Sequence, residues 1–234
     1  MKQLHFDIPA LPYTTQEAMN RLRINMKFCG KATKKILITS SLPNEGKSTV
    51  SIHLWKMLAE AGFKTAYVDL DFRNSVIKRD FNVTLDENEE EIGFENYISG
   101  LAEYEDIIYK TNIENGDFIP CFNLLENPAA LLSDSRLKEA LNRLAEEYRY
   151  VIIDTPPIGI VSDALQIAPY CDGNILVIHA GQTSRKIVTE SIRHLERTRT
   201  KLLGVVLNRV ENNKGHHGYG KYYGKYYGKY YGEK

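Results

Sequence analysis

Gly46, Lys47, Ser48 and Thr49 stand in a row between the apolar run KILITS at 35–40 and a helix-length segment at 47–61. A glycine, a cation and two hydroxyls at a strand-to-helix junction suit phosphate chemistry. The first turn of a helix offers N–H groups without partners and the positive end of the helix dipole. Lys47 can there reach the outer phosphates of a nucleotide, and the Ser48 hydroxyl can ligate Mg²⁺. The loop SSLPNEGKST departs from G-x-x-x-x-G-K-[ST] at its first glycine, where Ser41 stands. Asn44 is expected to take a left-handed backbone, which asparagine tolerates better than most residues. Asn44, Glu45, Gly46, Lys47, Ser48 and Thr49 form the expected phosphate-binding set.

Carboxylates complete the chemistry. The run TAYVDLD at 65–71 carries Asp69 and Asp71 two residues apart. They are expected either on opposite faces of a continuing strand or together in the turn beside the phosphate loop. The run YVIIDTPP at 150–157 places Asp154 after four strand residues, as in an acid of the Walker B kind that holds Mg²⁺ directly or through water. Three carboxylates and a lysine at the carboxyl ends of neighbouring parallel strands make a Mg-nucleotide site.

The elements that must position them follow from periodicity. Strands are expected at 35–40, 65–71, 150–157, 173–181 and 201–208, and helices at 47–61, 131–148 and 184–198. Near-continuous apolar strands separated by helices predict an α/β fold: a mostly parallel central sheet, flanked by helices and entered by right-handed crossovers. The 234 residues suffice for one such domain, expected at 1–210, with a separate tail at 211–234. Thirty basic and thirty acidic residues cancel, so no global field draws the chain to nucleic acid. Cys29, Cys121 and Cys171 are widely spaced and suit reduced thiols of the cytosol. The start, MKQLHFDIPALP, lacks a signal-peptide apolar stretch, and no apolar run reaches the ~18 residues of a membrane span. A cytoplasmic protein is expected.

Two stretches break the pattern. DENEEEIGFE at 86–95 is expected as a solvated loop. The second is GYGKYYGKYYGKYYGEK at 218–234, which holds seven of the fifteen tyrosines: Tyr219, Tyr222, Tyr223, Tyr226, Tyr227, Tyr230 and Tyr231. Frequent glycine opposes a helix and a lysine in each repeat opposes burial, so this tail is expected to be disordered. From Glu211 onward five lysines face two glutamates. If the strand at 201–208 is parallel, the tail leaves from the edge that carries the phosphate loop. His216 and His217 read as part of a flexible tail, not as a metal pair, and His53 as helix surface or packing.

Taken together, the motifs resemble the bacterial tyrosine kinase (BY-kinase) family, more narrowly its stand-alone cytoplasmic CpsD/CapB type, which regulates capsule and exopolysaccharide synthesis. EAMNRLRINMKF (17–28) is similar to the family's amino-terminal helix, PNEGKST to its Walker A, VDLDFRNSV (68–76) to its Walker A′ and VIIDTPP to its Walker B. GFENYISG (93–100), ENPAALL (126–132) and GVVLNRV (204–210) also resemble family segments, and the tail resembles its autophosphorylated cluster.

The resemblance implies a P-loop NTPase-like kinase that uses ATP and Mg²⁺ to phosphorylate its own tail tyrosines. Lys47 would neutralise the transferring phosphate, with Ser48, Asp71 and Asp154 in the metal shell and Asn208 in the nucleotide set. Asp69 would act as base or orienting group for the tyrosine hydroxyl. Residues 1–30 would serve oligomerisation and activator contact, with Glu17 and Arg23 in the pattern E-x-x-R-x-x-R, where Asn20 replaces the middle arginine. The implied partners are a transmembrane chain-length-type adaptor that recruits the kinase to the inner face of the membrane, other copies in a ring-like oligomer when unphosphorylated, and a cognate tyrosine phosphatase.

Two other readings compete. An ATPase switch of the MinD/ParA kind resembles K-G-G-x-G-K-[ST], and its extra lysine falls here on Leu42. A nucleotide-gated scaffold of polysaccharide machinery could use the aromatic tail without kinase chemistry.

Overall fold

The computed structural model describes residues 2–85 and 89–210. The tail with its seven tyrosines, and with His216 and His217, lies outside them.

The apolar runs become the strands β1 (Gln3–His5), β2 (Lys35–Ser40), β3 (Thr65–Asp69), β4 (Thr84–Leu85), β5 (Tyr109–Thr111), β6 (Gly116–Ile119), β7 (Tyr150–Asp154), β8 (Gly173–His179) and β9 (Leu202–Asn208). They form a sheet of order β4-β1-β5-β6-β3-β7-β2-β8-β9. From β6 to β9 every neighbouring pair is parallel. β5 and β6 pair antiparallel, as do β1 and β4. The α/β expectation holds. The short strands β1, β4, β5 and β6 were not expected, because two to four residues carry too little periodicity to stand out.

Helices α1 (Tyr13–Phe28) and α2 (Lys47–Glu60) cover one face of the sheet, where Ile36, Ile38, Tyr67 and Ile152 meet Leu54, Trp55 and Leu58. On the other face Leu37, Val68, Val151 and Ile153 pack against α4 (Phe94–Ile98), α6 (Ser135–Glu147) and α7 (Asp163–Ile167). Helix α8 (Arg185–Arg197) closes that layer over Leu176 and Ile178. Short helices α3 (Ile77–Asp80) and α5 (Ala129–Leu132) complete the chain. Burial on both faces is what made β2, β3, β7 and β8 read as unbroken apolar runs.

Two expectations need correction. The helix expected at 131–148 is two helices, because Asp134 takes an extended backbone and its carboxylate accepts from Arg136 N–H, starting α6 afresh. The acidic run expected as a solvated loop ends inside the fold. Glu95 is buried in α4, and its Oε1 accepts from Phe122 N at 3.3 Å and from Asn123 N and Nδ2 at 2.9 Å. These three donors offset part of its desolvation, which still holds the carboxyl above its ordinary value.

His53, on α2, is packing rather than surface: it is buried and edge-on to the Phe81 ring. Burial, helped by the charge of Lys56, lowers its pKa from 6.5 to about 4. The unfolded chain takes up a proton below its ordinary value while the folded chain stays neutral to about pH 4, so this site's stability is present above 6.5 and lost as pH falls toward 4. His53→Leu is expected to flatten that part of the pH dependence, read as urea midpoints between pH 7 and 5. An unchanged slope would refute it.

Candidate functional site

Strand order sets the site. β3 and β7 are neighbours and put Asp69 opposite Asp154, while Asp154 also stands beside Ile38 of β2, the strand that feeds the phosphate loop. All three are parallel, so their carboxyl ends open on one edge beside the start of α2.

The loop's backbone turns left-handed at Asn44 (φ 61°) and Gly46 (φ 87°). Ser41 does not, which is why a serine fits where the pattern has its first glycine. Asn44 takes the conformation expected of it. Glu45 does not face the cleft with its side chain. Its carboxylate turns inward, accepting from Leu42 N–H at 2.8 Å, from His179 N–H at 3.3 Å and from the Thr183 hydroxyl. Asn208, at the end of β9, donates from Nδ2 to the Glu45 carbonyl at 2.8 Å and abuts Gly46. Glu45 and Asn208 therefore brace the loop, and Asn44, Gly46, Lys47, Ser48 and Thr49 line a cleft of about 270 Å³.

Lys47 Nζ lies 2.8 Å from Asp71 Oδ2 and 3.4 Å from Asp154 Oδ2. Burial alone would depress its pKa, but the carboxylates of Asp154 and Asp71 outweigh that and raise it. Ser48 Oγ donates to Asp154 Oδ2 at 2.6 Å. Asp154 is itself pushed up, by burial first, against the pull of Lys47. Burial, then the charge of Asp154, takes the Asp69 carboxyl from 3.8 to about 8.

Asp69 and Asp71 are not on opposite faces. Residues two apart share a face of a strand, and β3 ends at Asp69, so both carboxylates stay on the side of α2. They are not equivalent. Asp71 lines the cleft, accepting from Lys47 and from Asn74 N–H. Asp69 lies beneath, accepting from Asp71 N–H at 3.1 Å and from the Ser75 hydroxyl.

The residues fit a divalent cation. Asp154 Oδ1 is buried with no hydrogen-bond partner, beside a hydroxyl and a second acid. Among the described residues no three His, Cys, Asp or Glu side chains form a cage by themselves. That suits Mg²⁺, which takes much of its shell from phosphate and water.

Sequence reading missed Arg73, Ser75 and Asp163. Arg73 lines the cleft and pairs with buried Asp163 through Nε at 2.7 Å and Nη2 at 3.1 Å, tying the turn after β3 to α7. A salt bridge across 90 residues leaves no local signal. Glu17 and Arg23 lie on α1 and are not among the residues that line the cleft, with Asn20 Nδ2 donating to Glu17 Oε1 at 3.3 Å.

A family model described as an AAA domain matches residues 33–202. Tyrosine-protein kinase CpsD of Streptococcus agalactiae is 41% identical over 209 residues, 89% of this chain and 90% of its own. The crystal structure of the chimerical protein CapA2B2 superposes with a TM-score of 0.76 at 33% identity, covering 84% of this chain and 85% of that one. The kinase domain of the Escherichia coli tyrosine kinase ETK gives 0.74 at 27%, covering 86% and 80%. MinD of Pyrococcus horikoshii, at 24% identity and 0.64, shares the fold alone. With the nucleotide site, the parallel sheet and relatives this similar over nearly its whole length, the chain belongs to the bacterial tyrosine-protein kinase family.

Proposed function

We propose that this chain transfers the γ-phosphoryl group of ATP to tyrosines of its own tail, in the control of capsular or exopolysaccharide synthesis. One observation carries the reading. Asn208 touches the phosphate loop, so the chain enters its tyrosine-rich tail only a few residues beyond the catalytic edge. The same position favours kinase chemistry over a MinD-like switch or a scaffold.

In this reading Ser48, Asp71 and Asp154 would hold Mg²⁺, which would supply charge neutralisation to the phosphates. Lys47 offers a cation to the migrating phosphoryl group, and the N–H groups of the loop bind its neighbours. The tyrosine oxygen forms its bond to the γ-phosphorus, the bond to the bridging oxygen breaks, and ADP leaves. A phenol of pKa about 10 keeps its proton at neutral pH. Burial holds the Asp69 carboxyl at about 8, so only its ionised fraction, which grows as pH rises toward that value, accepts that proton, while the protonated form orients the hydroxyl. Glu17 and Arg23 serve contact between copies, and a transmembrane adaptor, to which residues 1–30 contribute a surface, brings the kinase to the membrane. No helix among the described residues is long and apolar enough to cross a membrane. A tyrosine phosphatase resets the tail.

Purified chain given Mg-ATP is expected to become phosphotyrosine-positive, and a chain truncated after Asn213 to stay negative. Mixing active, truncated chain with tail-bearing Lys47→Met protein is expected to label the inactive partner, which marks transfer between subunits. A wild-type chain that hydrolyses ATP without acquiring phosphotyrosine would overturn the kinase reading in favour of the switch.

A further inference from the structure

Helix α8 carries charge that its own stability does not explain. Arg185, Lys186, Arg193 and Arg197 stand along its outer side against two carboxylates, Glu190 and the exposed Glu196. None of the four basic residues makes an ion pair among the described residues. Arg193 and Arg197, toward the carboxyl end, suit the helix dipole; Arg185 and Lys186 oppose it, standing in a first turn without any acidic residue.

The place of this stripe matters. β8 and β9 are parallel and pair His179 with Asn208, and Ala180 N–H donates to the Asn208 carbonyl at 2.9 Å. Arg185 and Lys186 thus begin α8 close to the point from which the tail departs. The two basic clusters, Arg185 with Lys186 and Arg193 with Arg197, lie about 14 Å apart along the helix axis at 1.5 Å per residue. Successive Tyr-Tyr pairs of the tail are four residues apart, about 13 Å when extended. A flexible linker of the length that separates these pairs from Val210 would span about 20–25 Å, and α8 is about 20 Å long.

We propose that the outer side of α8 is a docking surface for the phosphorylated tail of the same chain, each phosphotyrosine pair seating on one basic cluster. The proposal rests on the tail being the kinase's substrate. The unmodified tail, with five lysines and two glutamates, is repelled from this stripe. Each phosphate adds about −1.5 to −2 charges, so modification reverses the sign and turns repulsion into charge-assisted hydrogen bonding by arginine. Docking draws finished tyrosines away from the phosphate loop and leaves unmodified ones free to enter it.

The test uses fluorescent synthetic peptides of residues 218–234, one unmodified and one phosphorylated at Tyr226, Tyr227, Tyr230 and Tyr231. They are titrated into phosphatase-treated full-length chain saturated with Mg-ADP, whose own tail stays unmodified for want of a γ-phosphoryl donor. The phosphopeptide is expected to bind at least tenfold more tightly than the unmodified peptide. The combined variant Arg185→Gln, Lys186→Gln, Arg193→Gln and Arg197→Gln is expected to lose that gain while keeping its melting temperature. Equal affinity of the variant for the phosphopeptide overturns the proposal. So does a variant that loses binding only to phosphatidylglycerol vesicles, which would assign the stripe to a lipid surface. Because the peptide is made chemically, absent docking indicts the surface, whereas absent phosphotyrosine on wild-type chain indicts the proposed function.

Discussion

Lys47→Met is expected to damage the fold as well as the chemistry. The ammonium lies between Asp71 and Asp154, both buried, with Asp69 beneath them. Taking one partner out of a buried ion pair leaves uncompensated charge and costs about 3–5 kcal/mol. For a chain of this size that lowers the melting temperature by roughly 10 °C. Acidification below about pH 8 is expected to narrow the gap between variant and wild type, since burial holds Asp69 at about 8 and Asp154 above the ordinary carboxylate range, and a neutral carboxyl does not need the cation. Phosphoryl transfer is expected to fall on the order of 10³-fold, the scale of losing a key charge-stabilising donor. Lys47→Arg separates the two roles. It keeps a positive charge beside the acids and most of the stability, but its planar fork does not place a point charge as an ammonium does, so transfer stays low. Equal melting of Lys47→Met and wild type at pH 7 would show that the ammonium does not neutralise the cluster.

Gly46→Ala is expected to strike the nucleotide before the fold. At φ 87° an L-residue is strained by about 1–2 kcal/mol. The added Cβ would also lie 2.1 Å from Asn208 Nδ2, so the amide that holds the Glu45 carbonyl must move. Losing that hydrogen bond costs about 1 kcal/mol more. The strain falls on the loop that lines the cleft, and the expected result is ADP binding weakened about 100-fold, measured by calorimetry, with only a modest drop in melting temperature. Asn208→Ala alone is expected to weaken binding far less. Combining it with Gly46→Ala removes the clash but not the backbone strain, so part of the loss should return. A double variant as weak as Gly46→Ala itself would mean that the steric contact is irrelevant.

Much of this site could be read from local sequence because its parts obey local rules. Gly46 and Asn44 mark left-handed backbone, Lys47 and Ser48 open a helix after an apolar strand, and Asp154 closes another. Strand and helix periodicity needed only neighbouring residues, and the five long strands formed within a few residues of expectation. The weak points were equally local. Two-residue strands such as β4 offer no period to detect, and Asp134 split a helical pattern by capping from within it.

Alone, then, the sequence determined the α/β class, the phosphate loop, its lysine and hydroxyl, and the acids that accompany them, since each depends on residue type and on spacing along a single element. Tertiary structure decided which acid serves which purpose. Asp71 reaches the cleft while Asp69 sits under Ser75, because β3 stops between them. It turned Glu45 inward to His179 and Thr183, set Asn208 against Gly46, and locked Arg73 to Asp163. It gathered the basic stripe of α8 beside the tail's point of departure. The contacts of Glu45, Asn208 and Arg73 join residues from 90 to more than 160 positions apart. A parallel sheet brings them together through crossovers, and the order in which its strands lie side by side is not written in the spacing of any one of them.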